Sequence, residues 1–347
     1  MNKLFFKKLL IFLLVGLLIV GVATGCSKPD GGDNGDNGNE NGNGDQEETL
    51  NLTLVGGATG GIWYSMAEAI AETIRREESG SVVSVVPGGD AANLVRMSEK
   101  DGDFALCYLP TAVAAHTGND PFDTALEDLR ALSLVYSADY YFVVIKSAGV
   151  SSYQEVLDKK YPLKVTMNQR GSVMDFVGRA VMNEYGFDYE DIADWGGEVN
   201  FMSTNDGIDL IRSGQAEGFS TVGPTPVSQI VEFAGTHDIF IFSVDDNVME
   251  KIVEKYGVIP TKIPASAYDF LEEDVNTFIT PALLVAHKDL PDDVVYTIVK
   301  VQDANKDYLE SAHHAFAGFD AEYMSSISGL PLHPGAEKYY KEVGALK

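Results

Sequence analysis

Leu50-Asn51-Leu52-Thr53-Leu54-Val55-Gly56-Gly57-Ala58-Thr59-Gly60-Gly61-Ile62-Trp63-Tyr64 changes its hydrophobic period at the glycines. Residues 50–55 alternate apolar and polar, as a half-buried strand does. Beyond the turn, Ile62, Met66, Ile70 and Ile74 recur every fourth residue and share one helical face. Residues 81–86 are strand-like, a helix is predicted from about Asp90 to Ser98, and residues 104–108 are strand-like again. This is βαβαβ, the order of a parallel sheet covered by helices.

The architecture recurs downstream without the sequence recurring. Strand-like 163–167 precedes a predicted helix over 173–185, stopped by Gly186; strand-like 199–202, a helix over 206–213 and strand-like 216–220 follow. Two α/β lobes are therefore expected. Residues 140–146 and 279–287 read as two further strands that cross between the lobes as a hinge, and Pro291 leads from the second into a long helix that completes lobe one. The expected bounds are 49–142 with 284–347 for lobe one and 143–283 for lobe two. Ligands of open α/β sheets sit in the loops at the carboxyl ends of the strands, so the chemistry is expected there.

The 56–64 turn has a backbone free to approach a ligand, followed by the unpaired N–H groups of a helix start. It is not a P-loop, for no Gly-Lys-Ser/Thr follows. Nor is it a dinucleotide turn, since Ala58 stands where the second glycine belongs. No metalloprotease H-E-x-x-H, G-x-S-x-G elbow or S-x-x-K nucleophile is present in the body, and the pair His313-His314 lacks ligand spacing. The chain is expected to be no enzyme and to take no metal or cofactor.

Over the whole chain 25 Lys and Arg face 52 Asp and Glu, a net charge of −27. From Thr49 onward the balance is 21 against 45, or −24. No basic footprint remains for phosphate backbones, which excludes nucleic-acid binding. The two cysteines are Cys26 and Cys107. Cys107 lies in the apolar run 104–108 and reads as a small buried hydrophobe.

Lys3, Lys7 and Lys8 precede an apolar run over 9–22, shorter than the roughly 20 residues of a membrane span, and Ala23-Thr24-Gly25-Cys26 closes it. Residues 1–25 are thus an expected export signal. The ending resembles a bacterial lipobox with Ala23 in place of the usual Leu, which implies lipid on Cys26 and anchoring at the outer face of the cell membrane. Residues 26–48 are an expected tether of Gly, Asn, Asp and Glu with no apolar surface to offset ordering. Its flexible part would reach about 24 Å. The tether's acidic spacing does not meet the calcium-loop pattern.

Near the C-terminus, Leu330-Pro331-Leu332-His333-Pro334-Gly335-Ala336-Glu337-Lys338-Tyr339-Tyr340-Lys341-Glu342-Val343-Gly344 carries Pro at a helix start, Glu in its first turn and Gly at its stop. It resembles the closing segment of TAXI proteins, the extracytoplasmic solute receptors of one class of TRAP transporters. Residues 56–64 resemble that family's first-strand motif, which implies ligand contacts at Thr59, Gly60, Trp63 and Tyr64. Pro87-Gly88-Gly89-Asp90-Ala91-Ala92-Asn93-Leu94 resembles its Gly-Gly-Ser-x-x-Asn turn, with Asp90 in place of Ser and Asn93 matching. Asp90 would either cap its own helix or meet a ligand ammonium; Asn93 would donate and accept.

Asn168-Gln169-Arg170-Gly171-Ser172-Val173 resembles the lobe-two turn of the family, which implies ligand on Gly171 and Ser172. Arg170 is either solvated or a fork for a carboxylate. Ser220-Thr221-Val222-Gly223-Pro224-Thr225-Pro226 resembles a further family turn and adds Gly223 and Pro224; Glu217-Gly218 replaces the usual Asp-Ala before it. Tyr108, Tyr136, Tyr140 and Tyr141 line either the cleft or the core.

The resemblance implies a two-lobed periplasmic-binding-protein-like fold of type II, each lobe a mostly parallel sheet flanked by helices and the two joined by a two-strand hinge. It also implies a small solute bearing a carboxylate, glutamate-like amino acids first, and delivery to an ion-gradient-driven TRAP permease. Presentation of ligand to a membrane sensor is the alternative.

Overall fold

In the computed structural model, which describes residues 49–59 and 61–347, strand β1 (Asn51–Val55) enters the glycine turn and helix α1 (Ile62–Glu77) leaves it. The fourfold period is reproduced with one difference: Met66, Ile70 and Ile74 are wholly buried, whereas Ile62 is 47 % exposed because it starts the helix at the rim of the turn. Next come β2 (Val82–Val86), α2 (Asp90–Ser98), β3 (Phe104–Tyr108) and α3 (Leu109–Thr117), the last of which the sequence reading missed. Pro110 in the first turn of α3 costs nothing there, and Gly118 ends the helix in left-handed geometry at φ +71°.

Strand β4 (Leu129–Ile145) is much longer than the expected 140–146. It is followed by α4 (Tyr153–Lys159), β5 (Lys164–Thr166), α5 (Val173–Tyr185), α6 (Tyr189–Asp194), β6 (Glu198–Asn200), α7 (Thr204–Arg212) and β7 (Gly218–Gly223). Then come α8 (Ser228–Ala234), β8 (Ile239–Ile241), α9 (Asp246–Tyr256), β9 (Ile259–Ile263) and β10 (Val275–His287). The C-terminal part is α10 (Asp292–Ala304), α11 (Lys306–Ala312), α12 (Ala321–Ser325) and α13 (Pro334–Glu342).

The strands run in the order β2-β1-β3-β10-β4-β7-β5-β6, with β8 also on β4 and β9 on β10. β2, β1 and β3 are parallel to one another, as are β7, β5 and β6. Between them stand β4 and β10, antiparallel to each other. β10 pairs with β3 over Ala282 to Ala286 and with β9 over Val275 to Ile279; β4 pairs with β7 over Asp139 to Val144. Each long strand therefore belongs to one lobe at one end and to the other lobe at the other. The exchange of partners falls near Ser137–Asp139 and Ile279–Ala282, just ahead of the bounds expected from sequence.

The closing segment docks on lobe one. Leu332 bridges Ala131 of β4, the Tyr340 hydroxyl donates to the Leu132 carbonyl at 2.8 Å, and α13 packs on α10. Pro334 occupies the first turn of α13 as expected, with His333 Nδ1 accepting from the Gly335 N–H as its cap, and Gly344 has φ +79°. Among the described residues no helix is long and apolar enough to cross a membrane. The signal, the tether, Cys26 and Gly60 lie outside the described residues.

Candidate functional site

Three turns of lobe one meet around Asn93. The side chain is wholly buried: Nδ2 donates to the Gly56 carbonyl at 2.8 Å and the Leu106 carbonyl at 2.7 Å, and Oδ1 accepts from the Gly89 N–H at 2.9 Å. One amide thus ties the glycine turn, β3 and the start of α2. The expectation that Asn93 donates and accepts toward a ligand gives way to a structural role, because both its amide hydrogens are spent on protein carbonyls. Gly88 is fixed by the same staple, for a Cβ there would stand 2.1 Å from Asn93 Oδ1.

Asp90 departs from both of its expected uses. Its carboxylate neither caps its own helix nor is open to a ligand; Oδ1 accepts from the Tyr108 N–H at 2.8 Å and Oδ2 from the Thr111 hydroxyl at 2.7 Å, so it joins α2 to the β3–α3 junction. Burial pushes its pKa from 3.8 up to about 7, against the lowering effect of those two bonds. An acid with a raised folded pKa stabilises the fold fully below its unfolded value and loses that contribution as pH rises through the folded one. Asp90→Asn keeps the bond from the Tyr108 N–H and reverses the other, its amide nitrogen donating to the Thr111 hydroxyl oxygen, without the charge. It is expected to raise stability by about 2 kcal/mol above pH 7, roughly half the ceiling that a three-unit shift sets, and to leave it unchanged below pH 4. Urea melts of both proteins across that range check this; a gain independent of pH would contradict it.

Behind the glycine turn Trp63, Tyr108 and Tyr136 form a buried triad. Trp63 Nε1 donates to the Tyr136 hydroxyl at 2.8 Å, the Tyr108 and Tyr136 hydroxyls are 2.8 Å apart, and the Trp63 and Tyr108 rings lie 4.6 Å centroid to centroid. Burial raises both tyrosine pKa values, that of Tyr108 far above 10, so both stay neutral donors. Trp63 and Tyr108 accordingly form the wall behind the turn. Thr59 is exposed and Tyr64 half-buried, its hydroxyl 3.4 Å from the Val85 carbonyl. Helix α1 starts with no side-chain cap and no acidic residue in its first turn, which leaves its positive end for an anion.

The lobe-two turn differs. Asn168 (φ +62°) and Gly171 (φ +75°) bend it in left-handed geometry. The Gly171 N–H donates to Asp175 Oδ2 at 3.0 Å and the Ser172 N–H to the Gln169 carbonyl at 3.1 Å, while Ser172 Oγ caps α5 by accepting from the Asp175 N–H. Those two backbone donors, expected to face ligand, are thus engaged within the turn, and Asp175 neutralises the start of α5. Arg170 is exposed, its guanidinium stacked 3.7 Å over the Phe201 ring, and it forms no ion pair with the described residues. The stack occupies the face of the guanidinium and leaves its N–H edge open.

Beside this turn stands a hydroxyl wall that sequence reasoning missed. Asn168 Nδ2 donates to Thr204 Oγ1 at 3.0 Å, and Thr204 Oγ1 lies 3.4 Å from Thr221 Oγ1. Gly223 ends β7 opposite Asp139 of β4; past it and the half-buried Pro224, Thr225 donates to Asp139 and bonds the Tyr141 hydroxyl. Burial raises the Asp139 carboxyl pKa, Thr225 opposing. These residues come from the turn after β5, the start of α7, β7 and its exit, and β4, and no local spacing in the chain announces them.

The two lobes touch. A Cβ built on Gly171 would lie 3.9 Å from Ala91 on the first turn of α2, and α3 packs on α5 and α9. The turn after β2 thus meets the turn after β5, and β4 and β10 run through both lobes.

A family model described as the NMT1-like family matches residues 54–344. Among solved structures, MatC from Rhodopseudomonas palustris with bound malate is 13 % identical; the alignment covers 86 % of this chain and 97 % of that one, with a TM-score of 0.50. A Xanthomonas citri protein bound to ATP is 11 % identical over 86 % of this chain and 96 % of its own, also with a TM-score of 0.50. The likeness is one of fold, the two-lobed fold of periplasmic binding proteins.

Proposed function

The chain belongs to the NMT1-like family, and from that premise we propose that it is an extracytoplasmic receptor that closes its two lobes on a small carboxylate solute and hands it to a membrane permease. One observation carries the reading. A loop at a strand end of one lobe, at Ala91, meets one of the other lobe, at Gly171, and two continuous strands pass between the lobes, the arrangement a hinge needs. The uncapped start of α1 on one side and the open edge of Arg170 on the other favour an anion. We take glutamate-like amino acids and related organic acids as the first candidates. The TRAP class of permease is the finer part of this proposal and rests on the five sequence segments that resemble TAXI receptors.

Ligand that binds the closed fold raises stability by mass action, about 2.7 kcal/mol at a hundredfold excess over Kd. A thermal-shift screen with L-glutamate, malate, 2-oxoglutarate and neutral amino acids is expected to single out one carboxylate, and X-ray scattering with it to show a smaller radius of gyration. Scattering curves that coincide with and without the stabilising compound would speak against closure.

Anchoring through Cys26 is proposed from the lipobox-like ending. Cys26→Ser is expected to abolish palmitate labelling and to yield released or unprocessed protein, since stable attachment needs more than one acyl chain. Labelling that persists in the variant would remove this part of the account.

A further inference from the structure

One ion pair among the described residues crosses between the lobes. Asp120 follows α3 in lobe one and Arg179 lies on α5 in lobe two, with Arg179 Nη2 2.7 Å from Asp120 Oδ2. The pair is about two helical turns from the 170–172 turn and is mechanically connected to it. Ser172, Asp175 and Arg179 are three and four residues apart, hence on one side of α5. Asp175 holds the Gly171 N–H, and Gly171 is the residue that approaches Ala91 of lobe one. About 10 Å of helix separates Ser172 from Arg179, so fixing Arg179 against lobe one also fixes the angle at which the 170–172 turn meets α2. Within lobe two, Tyr256 of α9 packs edge-on against Phe176 of α5 with ring centroids 4.9 Å apart, which sets α9 beside α5. Val113 of α3 lies 3.6 Å from where a Cβ on Gly257 would stand. The contact thus has an apolar part and one charged part.

The charge balance gives that charged part its weight. With the lobes taken as 49–142 plus 284–347 and 143–283, lobe one has 11 Lys and Arg against 23 Asp and Glu, and lobe two 10 against 22; each is −12. Closure therefore brings two like-charged bodies together. At the place where they meet, Arg179 offers lobe two's positive charge to a carboxylate of lobe one. We propose that Asp120–Arg179 is a closure latch: a pair of positioning residues that raises the closed fraction of the protein and thereby solute affinity, with no atom of either on the solute. The effect on affinity rests on the receptor reading; the effect on closure does not.

The test needs no solute. Spin labels at Glu99→Cys in lobe one and Gln229→Cys in lobe two, both exposed positions, report the interlobe distance in the full chain with Cys26→Ser; buried Cys107 stays unlabelled. The pair is partly exposed, with side-chain exposures of 30 % for Arg179 and 60 % for Asp120, so its effect is that of a surface ion pair. The short-distance population is expected to fall about two- to fivefold in Arg179→Gln and in Asp120→Asn, and to return in the exchanged pair Asp120→Arg with Arg179→Asp. A merely structural contribution of either side chain would not be rescued by the exchange. Unchanged distances in both single variants, or an exchanged pair as open as the singles, overturn the latch and leave the receptor reading standing. A protein that takes up no solute but shows the pattern keeps the latch and loses the receptor.

Discussion

Asn93→Ala is expected to cost the folded protein about 4–5 kcal/mol. The substitution removes three buried hydrogen bonds at once and takes a partner from the Gly56 and Leu106 carbonyls and from the Gly89 N–H. A buried polar group left without a partner costs about 1–3 kcal/mol, and partial hydration of the small cavity returns some of the sum. Asn93→Asp is expected to be worse than Ala at neutral pH, since a carboxylate would face two carbonyl oxygens in a site with no exposure. Urea unfolding of the two variants checks both the size and the order. If instead Asn93→Ala melts like the parent and only its solute affinity drops, the residue is a ligand contact and the staple account is wrong.

Arg170→Ala is expected to weaken capture of a carboxylate solute about 30- to 150-fold, the equivalent of about 2–3 kcal/mol for a lost charged hydrogen bond. Arg170 is the one positive charge of the lobe-two turn 168–173. Its two candidate backbone donors are engaged by Asp175 and by the Gln169 carbonyl, and Asp175 offsets the start of α5. What remains is a guanidinium with its face on Phe201 and its edge open. Arg170→Lys keeps the charge but loses the planar fork and the stack, and is expected to fall between the parent and the alanine variant. Calorimetry with the solute selected by the thermal-shift screen decides. Equal affinity for parent and Arg170→Ala would move the anion to the start of α1 in lobe one.

The order of elements that makes the two lobes was legible because it is written in local signals: alternation over 50–55, fourfold recurrence in α1, and Gly186 closing α5 with φ +99°. The long strand β4 was half missed. Its first half, from Leu129 to Tyr136, lies beside β10 in the sheet, is covered by helices and is buried almost throughout, and so carries no alternation to read. Helices α4, α6 and α8 are only six or seven residues long, and α3 is apolar around most of its circumference, which removes the stripe that would have identified it.

The site divides along the same line. That the 56–64, 87–94 and 168–173 turns matter is visible in their glycines and polar residues. What each side chain does is not, because Asp90 acts on Tyr108 and Thr111, and Asn93 on Gly56 and Leu106, partners brought near only by the sheet. The hydroxyl wall of Thr204, Thr221 and Thr225 escaped for the same reason: the start of α7, the middle of β7 and the loop beyond it have no common spacing.

The receptor claim is tested most directly by native mass spectrometry of the purified protein after incubation with a metabolite extract and removal of free small molecules. The account predicts one organic acid retained at one per chain, released unchanged when the protein is unfolded. A protein that retains nothing, or an extract in which one component is consumed and a new one appears, would contradict it.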